Sequence, residues 1–185
     1  MSISTAPRHA VPALALLGAA LLLSACAPMG ARYSQEQLPN AVKVPDGHQV
    51  AMQTVGVGKI AYECRAKKDG AGHEWVFVGP DAALSDRSGM QVGTYAGPPA
   101  TWANLDGSKV TATQVAVAPA GAGNIPYQLV KANPATGSGA MQGVSYIQRV
   151  ATHGGVAPAA PCGMESVGAR QWVPYQADYI FWKAA

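Results

Sequence analysis

The chain has 185 residues with a formal net charge of +3; 49% of them are hydrophobic and only 12% are charged. That length allows one domain with a sizeable core. The charges are spread without a basic run or an acidic tail, which argues against a nucleic-acid partner.

Residues 1–9 carry one formal charge, on Arg8, and residues 11–23 are an uncharged run of 13. Such a run is well short of the ~20 residues a helix needs to cross a bilayer, but it suits the apolar part of a secretory signal. Leu23-Ser24-Ala25-Cys26 follows and resembles the lipobox of bacterial lipoproteins. Small side chains there let a peptidase approach the backbone, and the thiol accepts diacylglycerol. Residues 1–25 are therefore expected to be a lipoprotein signal peptide, and Cys26 the lipidated residue that carries palmitate or a similar acyl chain. Each buried methylene is worth about 0.8 kcal/mol, so two or three chains anchor stably where one does not. The alternative is an ordinary signal: Ala25-Cys26-Ala27 also fits the A-x-A cleavage rule and would discard Cys26. Ala27 stands where inner-membrane lipoproteins usually carry Asp, so the resemblance implies the outer membrane. The expected address is export, followed by anchoring to membrane lipid through acylated Cys26.

Residues 26–43 are polar and lack apolar periodicity, and are expected to form a lipidated tether with a reach of ~20 Å. From residue 44 to 185 the pattern is strand, turn, strand. Ile60, Tyr62 and Cys64 alternate with Ala61 and Glu63. Trp75-Val76-Phe77-Val78 is a continuous apolar run expected to be buried on both faces and to stop at Gly79-Pro80. Further strands are expected over residues 110–117, 127–131, 144–150 and 175–182, the last two rich in β-branched and aromatic residues. Gly and Pro punctuate the gaps, as in Gly97-Pro98-Pro99 and Asn133-Pro134. No segment holds helical periodicity for three turns. The expected fold is all-β, an antiparallel sandwich or barrel of roughly 8–10 short strands in a single domain.

Of three cysteines, one is assigned to lipid, and the remaining pair, Cys64 and Cys162, would lie in an oxidising compartment. A disulfide is the expected outcome. Cys162 has Met164 nearby but no histidine beside it, so a blue-copper ligand set is not present. His48, His73 and His153 stand singly, without zinc-site spacing. No metal and no cofactor is expected.

An ordered series of segments resembles the secreted bacterial and fungal family known as domain of unknown function 3455. They include Val44-Pro45-Asp46-Gly47-His48, Ile60-Ala61-Tyr62-Glu63-Cys64 and Glu74-Trp75-Val76-Phe77-Val78-Gly79-Pro80. The densest are Tyr146-Ile147-Gln148-Arg149-Val150, Gly154-Gly155-Val156-Ala157-Pro158 and Val173-Pro174-Tyr175-Gln176-Ala177-Asp178-Tyr179. Tyr95 stands where such proteins often have His. The resemblance covers about residues 44–183; it implies a fold and an address but brings no established activity.

Some such proteins are labelled malate dehydrogenase, which requires a dinucleotide site. Gly121-Ala122-Gly123-Asn124-Ile125-Pro126 has Pro in place of the third Gly, and in residues 137–143 the last Gly falls one position late. Neither stands between a buried parallel strand and a helix, so the dehydrogenase reading fails. No G-x-S-x-G elbow is present, and Ser108 in Asp106-Gly107-Ser108 suits turn chemistry. No catalytic residue is assigned. A carboxylate-based hydrolase remains the alternative function, should Glu63, Glu74 and Asp178 converge.

Binding is the favoured function, with a structural envelope module beside it. Four tryptophans and seven tyrosines suit a platform for a carbohydrate or other small molecule. Trp75 and Trp182 are expected in the core. Trp102 and Trp172, in turn-rich places, are expected to be exposed ligand contacts, together with His153. Arg149 shares a strand face with Ile147, and Asp178 shares one with Ile180 and Trp182. A buried ion pair between Arg149 and Asp178 is therefore expected, the alternative being that each reaches water at a strand end.

Overall fold

A computed structural model of the protein describes residues 1–2 and 33–185. Cys26 and the expected signal from residue 3 onward lie outside the described residues. Eight strands follow in chain order: β1 (His48–Ala66), β2 (His73–Ser85), β3 (Gln91–Ala96), β4 (Thr101–Asn104), β5 (Lys109–Ala118), β6 (Tyr127–Ala132), β7 (Val144–Gly154) and β8 (Arg170–Ala184). Each pairs with its successor and β8 pairs antiparallel with β1, which closes an up-and-down barrel. Of the two expected all-β architectures, the barrel is the one formed, and closure leaves no free sheet edge.

Four of the strands are not short: β1 has 19 residues, β8 has 15, β2 has 13 and β7 has 11. The run at Trp75 does not stop at Gly79-Pro80, because β2 continues to Ser85. A register shift between Ala61 and Tyr62 lets Tyr62 pair with Phe77 and Ala61 with Gly79. Proline is tolerated at such a bulge. Phe77 is consequently not buried on both faces; it is 54% exposed.

Side chains alternate between the barrel interior and its outer wall. Inside, Tyr95 stacks on Trp102 with ring centroids 4.4 Å apart, and Tyr179 meets Trp102 edge-on at 5.9 Å. Gly56 makes room for this cluster, since a Cβ there would lie 2.6 Å from the Tyr179 ring. Leu84, Ile147 and Phe181 fill the space around them. Each such side chain contributes about 1.5–3 kcal/mol by leaving water.

A second apolar cluster lies on the outer wall of β6, β7 and β8, where Leu129, Val150, Ile180 and Trp182 meet Val42 and Val44. Residues 33–44 thus run across the barrel as a strap, and the compact unit begins at Tyr33. The stretch expected as tether is folded from that residue on. The reason is apolar spacing: Leu38, Val42 and Val44 find an outward-facing apolar strip that would otherwise be wet.

The Cys64–Cys162 disulfide is formed, with Cα atoms 5.6 Å apart. It draws the β7–β8 connection back onto the end of β1, and the Trp75 indole Nε1 donates to the Ala160 carbonyl at 2.8 Å.

Candidate functional site

The expected partner of Arg149 is not there. In the β7–β8 ladder Arg149 lies opposite Tyr179, whereas Asp178 lies opposite Val150. Cross-strand partners share a face, so Arg149 points into the barrel and Asp178 points out. Asp178 accepts instead from Arg87 Nη2 at 3.0 Å on the outer wall. The face assignments made from the sequence hold within each strand; the error lay in supposing that both faces look into one core. The outer wall has its own core beneath the strap.

Inside, Arg149 is half-buried and held by a single carbonyl: its Nε and Nη2 donate to Pro126 O at 3.2 and 3.0 Å. Among the described residues no carboxylate lies within ion-pair distance of it. The guanidinium is one wall of a pocket of about 200 Å³, whose other walls include Phe77, Pro80, Tyr95, Trp102 and Val130. Gln128 Nε2 donates to Gln114 Oε1 at 2.7 Å on the same wall. Gly97, Pro98 and Ala100 of the β3–β4 turn complete it, which puts the pocket at one mouth of the barrel. That is the end over which the disulfide holds the β7–β8 connection.

Trp102 is the inner wall of this pocket and is only 2% exposed, contrary to its expected place on the surface. The turns flanking it are hairpin ends, and on the four-residue β4 its side chain takes the inward face. Its Nε1–H meets no acceptor among the described residues. An unpaired buried donor costs about 1–3 kcal/mol, so this one is a demand the protein leaves open.

The tyrosines of the interior feel both burial and the arginine. Burial raises Tyr175 to about 12, offset in part by its hydrogen bond with Tyr179 and by the charge of Arg149. Tyr95 and Tyr62 are raised by burial and lowered in smaller measure by Arg149. Tyr179 is pushed well above its ordinary value, chiefly by burial. All four are neutral donors and acceptors near neutral pH.

Trp172 is 53% exposed on the outer wall, opposite Ala61, and forms no platform with Trp102. His153 is exposed and lies opposite Gln176. The three expected ligand contacts are therefore not brought together. Nor do the three carboxylates converge: Glu63 sits opposite Arg170 and Glu74 opposite Arg65, whereas Asp178 lies opposite Val55, eight residues from Arg170 along β8. Glu63 accepts from Arg65 and Arg170, each at 2.8 Å, and these bonds lower its pKa. Ser108 is a turn residue, donating to Asp106 Oδ1 at 2.6 Å and accepting from Met141 N.

Larger surface depressions lie along the β5–β6 loop, about 510 Å³, and beside Arg87, about 460 Å³. The first is lined by the end of β5 and the loop that follows it, and the second by Val50 to Gln53 of β1 with Asp86, Arg87 and Ser88. Phe77, Tyr95, Gln114 and Gln128 were not singled out in the sequence as ligand contacts. Inward alternation around a closed barrel brings them together, and that closure is invisible in any one strand.

Fold and pocket together define a closed eight-stranded antiparallel barrel with an aromatic, arginine-bearing mouth. Within that class, the family model described as "Protein of unknown function (DUF3455)" matches residues 45–183, and the chain belongs to this family. No curated protein and no solved structure matches the chain.

Proposed function

We propose that the protein is an exported, lipid-anchored module of the cell envelope that holds one small ligand in the mouth of its barrel. The observation that carries this reading is the 200 Å³ pocket itself, which joins aromatic walls to an arginine with free donors. Eight-stranded barrels have an interior just wide enough to be filled by side chains or to hold one small ligand. Here Leu84, Ile147 and Phe181 pack the interior, and the pocket opens beside the β3–β4 turn. An engineered apolar cavity of about 150 Å³ takes benzene, so the pocket is sized for a single ring with a short substituent. That Asp178 lies far along β8 from Glu63 and Glu74 favours binding over hydrolysis.

The address rests on the lipobox-like Leu23-Ser24-Ala25-Cys26. Cys26→Ser is expected to abolish palmitate labelling and leave uncleaved precursor; label retained on the variant overturns the anchor. For the pocket, the test is titration of the lipid-free domain with benzamide, read by tryptophan fluorescence. Quenching should saturate in the wild type and be lost in Ala100→Phe, which fills the mouth. Quenching that is absent, or unchanged in the filled variant, overturns the pocket as the site.

A further inference from the structure

We infer that the ligand is a ring-bearing monocarboxylate whose carboxyl group is received by Arg149 and whose ring lies against Trp102 and Tyr95. This rests on the mouth pocket being the ligand site and goes further by assigning the ligand's charge and shape.

The argument begins with donors. Arginine has five N–H groups in a fixed fork. Here Nε and Nη2 are held by the Pro126 carbonyl, so the guanidinium is fixed in orientation before any ligand arrives. The remaining N–H groups, including both on Nη1, have no acceptor among the described residues. Trp102, in the wall of the same pocket, contributes its ring face, since its unpaired Nε1–H is shut off from solvent. The arginine's spare N–H groups are therefore the donors the pocket offers to an acceptor. A half-buried cation with no carboxylate nearby favours an anion over a neutral carbonyl.

Charge and space then narrow the class. One guanidinium and no lysine in the wall match a single negative charge. A carboxylate is planar and meets a guanidinium through parallel hydrogen bonds. The pocket's remaining surface is Phe77, Pro80, Tyr95 and Val130, which is apolar and wants a ring. Near neutral pH the hydroxyl of Tyr95 stays protonated, so it adds no competing negative charge. Gln114 and Gln128 are engaged with each other and leave the arginine as the charged contact.

The test compares benzoate with benzamide, which have nearly the same shape and differ in charge, by titration calorimetry at pH 7. Benzoate is expected to bind at least tenfold tighter than benzamide. Arg149→Met should abolish the preference, so that the variant binds benzoate no tighter than it binds benzamide. In the wild type, the Arg149 side-chain Nε–H signal should shift on adding benzoate and not on adding benzamide, a readout that needs no variant. Equal affinity for the two probes, or an unmoved Arg149 signal, overturns the inference and leaves the pocket standing. Failure of both probes to bind overturns the pocket and the inference together.

Discussion

Arg149 lies opposite Tyr179 across the β7–β8 ladder, one residue out of step with Val150 and Asp178. That single step decides which charges communicate. A strand shifted by one residue turns every side chain to the other face, so Arg149 and Asp178 are separated by the sheet itself. In a urea double-mutant cycle, Arg149→Met and Asp178→Asn should be additive within about 0.5 kcal/mol. The Arg87–Asp178 pair, by contrast, should couple by about 0.2–1 kcal/mol, the range of exposed ion pairs, because Arg87 is largely in water. A coupling of several kcal/mol between Arg149 and Asp178 would refute this register.

The Cys64–Cys162 bridge spans a sequence separation of 98 residues. In the chain-entropy model a loop of that length stabilises the fold by about 4–5 kcal/mol, as an upper figure. Paired Cys64→Ser and Cys162→Ser changes should lower the urea midpoint markedly, and reductant should do the same to the wild type but not to the variant. Thiol titration of the denatured, unreduced domain should find no free thiol at these positions. Equal midpoints with and without the bridge would show that the barrel is held by its ladders alone.

The strands most readable in the sequence were those whose own side chains announce them. β7 and β8 are β-branched or aromatic at most positions, and both were expected close to where they form. β3 and β4 were not foreseen, because Gln91–Ala96 and Thr101–Asn104 are short and flanked by Gly and Pro. Their strand character comes from pairing with β2 and β5, which is tertiary information. The disulfide followed from counting cysteines. The pocket did not follow, because it is made of residues from β2, β3, β4, β5, β6 and β7, each unremarkable in its own strand. Trp102 shows the difficulty best: its neighbours look like surface turns, and only the inward face of a closed barrel explains its burial.

Alkaline pH should unfold the protein through its tyrosines. Burial raises Tyr33 and Tyr175 to about 12, against an ordinary value of 10.0. A group whose folded pKa is raised holds its proton more tightly in the native state. Its contribution is fully present below pH 10 and is lost as pH rises through about 12. For Tyr175, which is nearly inaccessible, a difference of that size is worth about 2–3 kcal/mol. Stability measured in urea should fall steeply between pH 10 and 12, and phenolate absorbance should rise in step with unfolding. Phenolate formation in the still-folded protein near pH 10 at Tyr175 or Tyr179 would contradict their burial.

The strap should come away when Gln148 is changed. Gln148 is completely buried on the outer face of β7, between the barrel wall and residues 33–44. Its Oε1 accepts from Trp182 Nε1 at 2.9 Å and from Tyr33 OH at 3.2 Å. Its Nε2 donates to Val42 O at 2.7 Å and to Gln35 Oε1 at 3.0 Å. The strap is pinned further by Gln35, which donates to Val44 O and accepts from Val44 N at 2.9 and 2.8 Å. One amide thus satisfies a strap carbonyl, a strap glutamine, a strap hydroxyl and a wall indole at once. Gln148→Leu keeps the bulk but leaves Trp182 Nε1 and Val42 O unpaired. Each orphaned group costs about 1–3 kcal/mol while it stays buried. Releasing the strap wets those groups again, at the cost of exposing Val42, Val44 and Trp182 to water. Hydrogen exchange should therefore show loss of protection over residues 35–44 in the variant, with the β1–β2 ladder unaffected. Trypsin should gain access to the peptide bond after Lys43. Unchanged protection across residues 35–44, with a stability loss under about 1 kcal/mol, would show that apolar contact alone holds the strap.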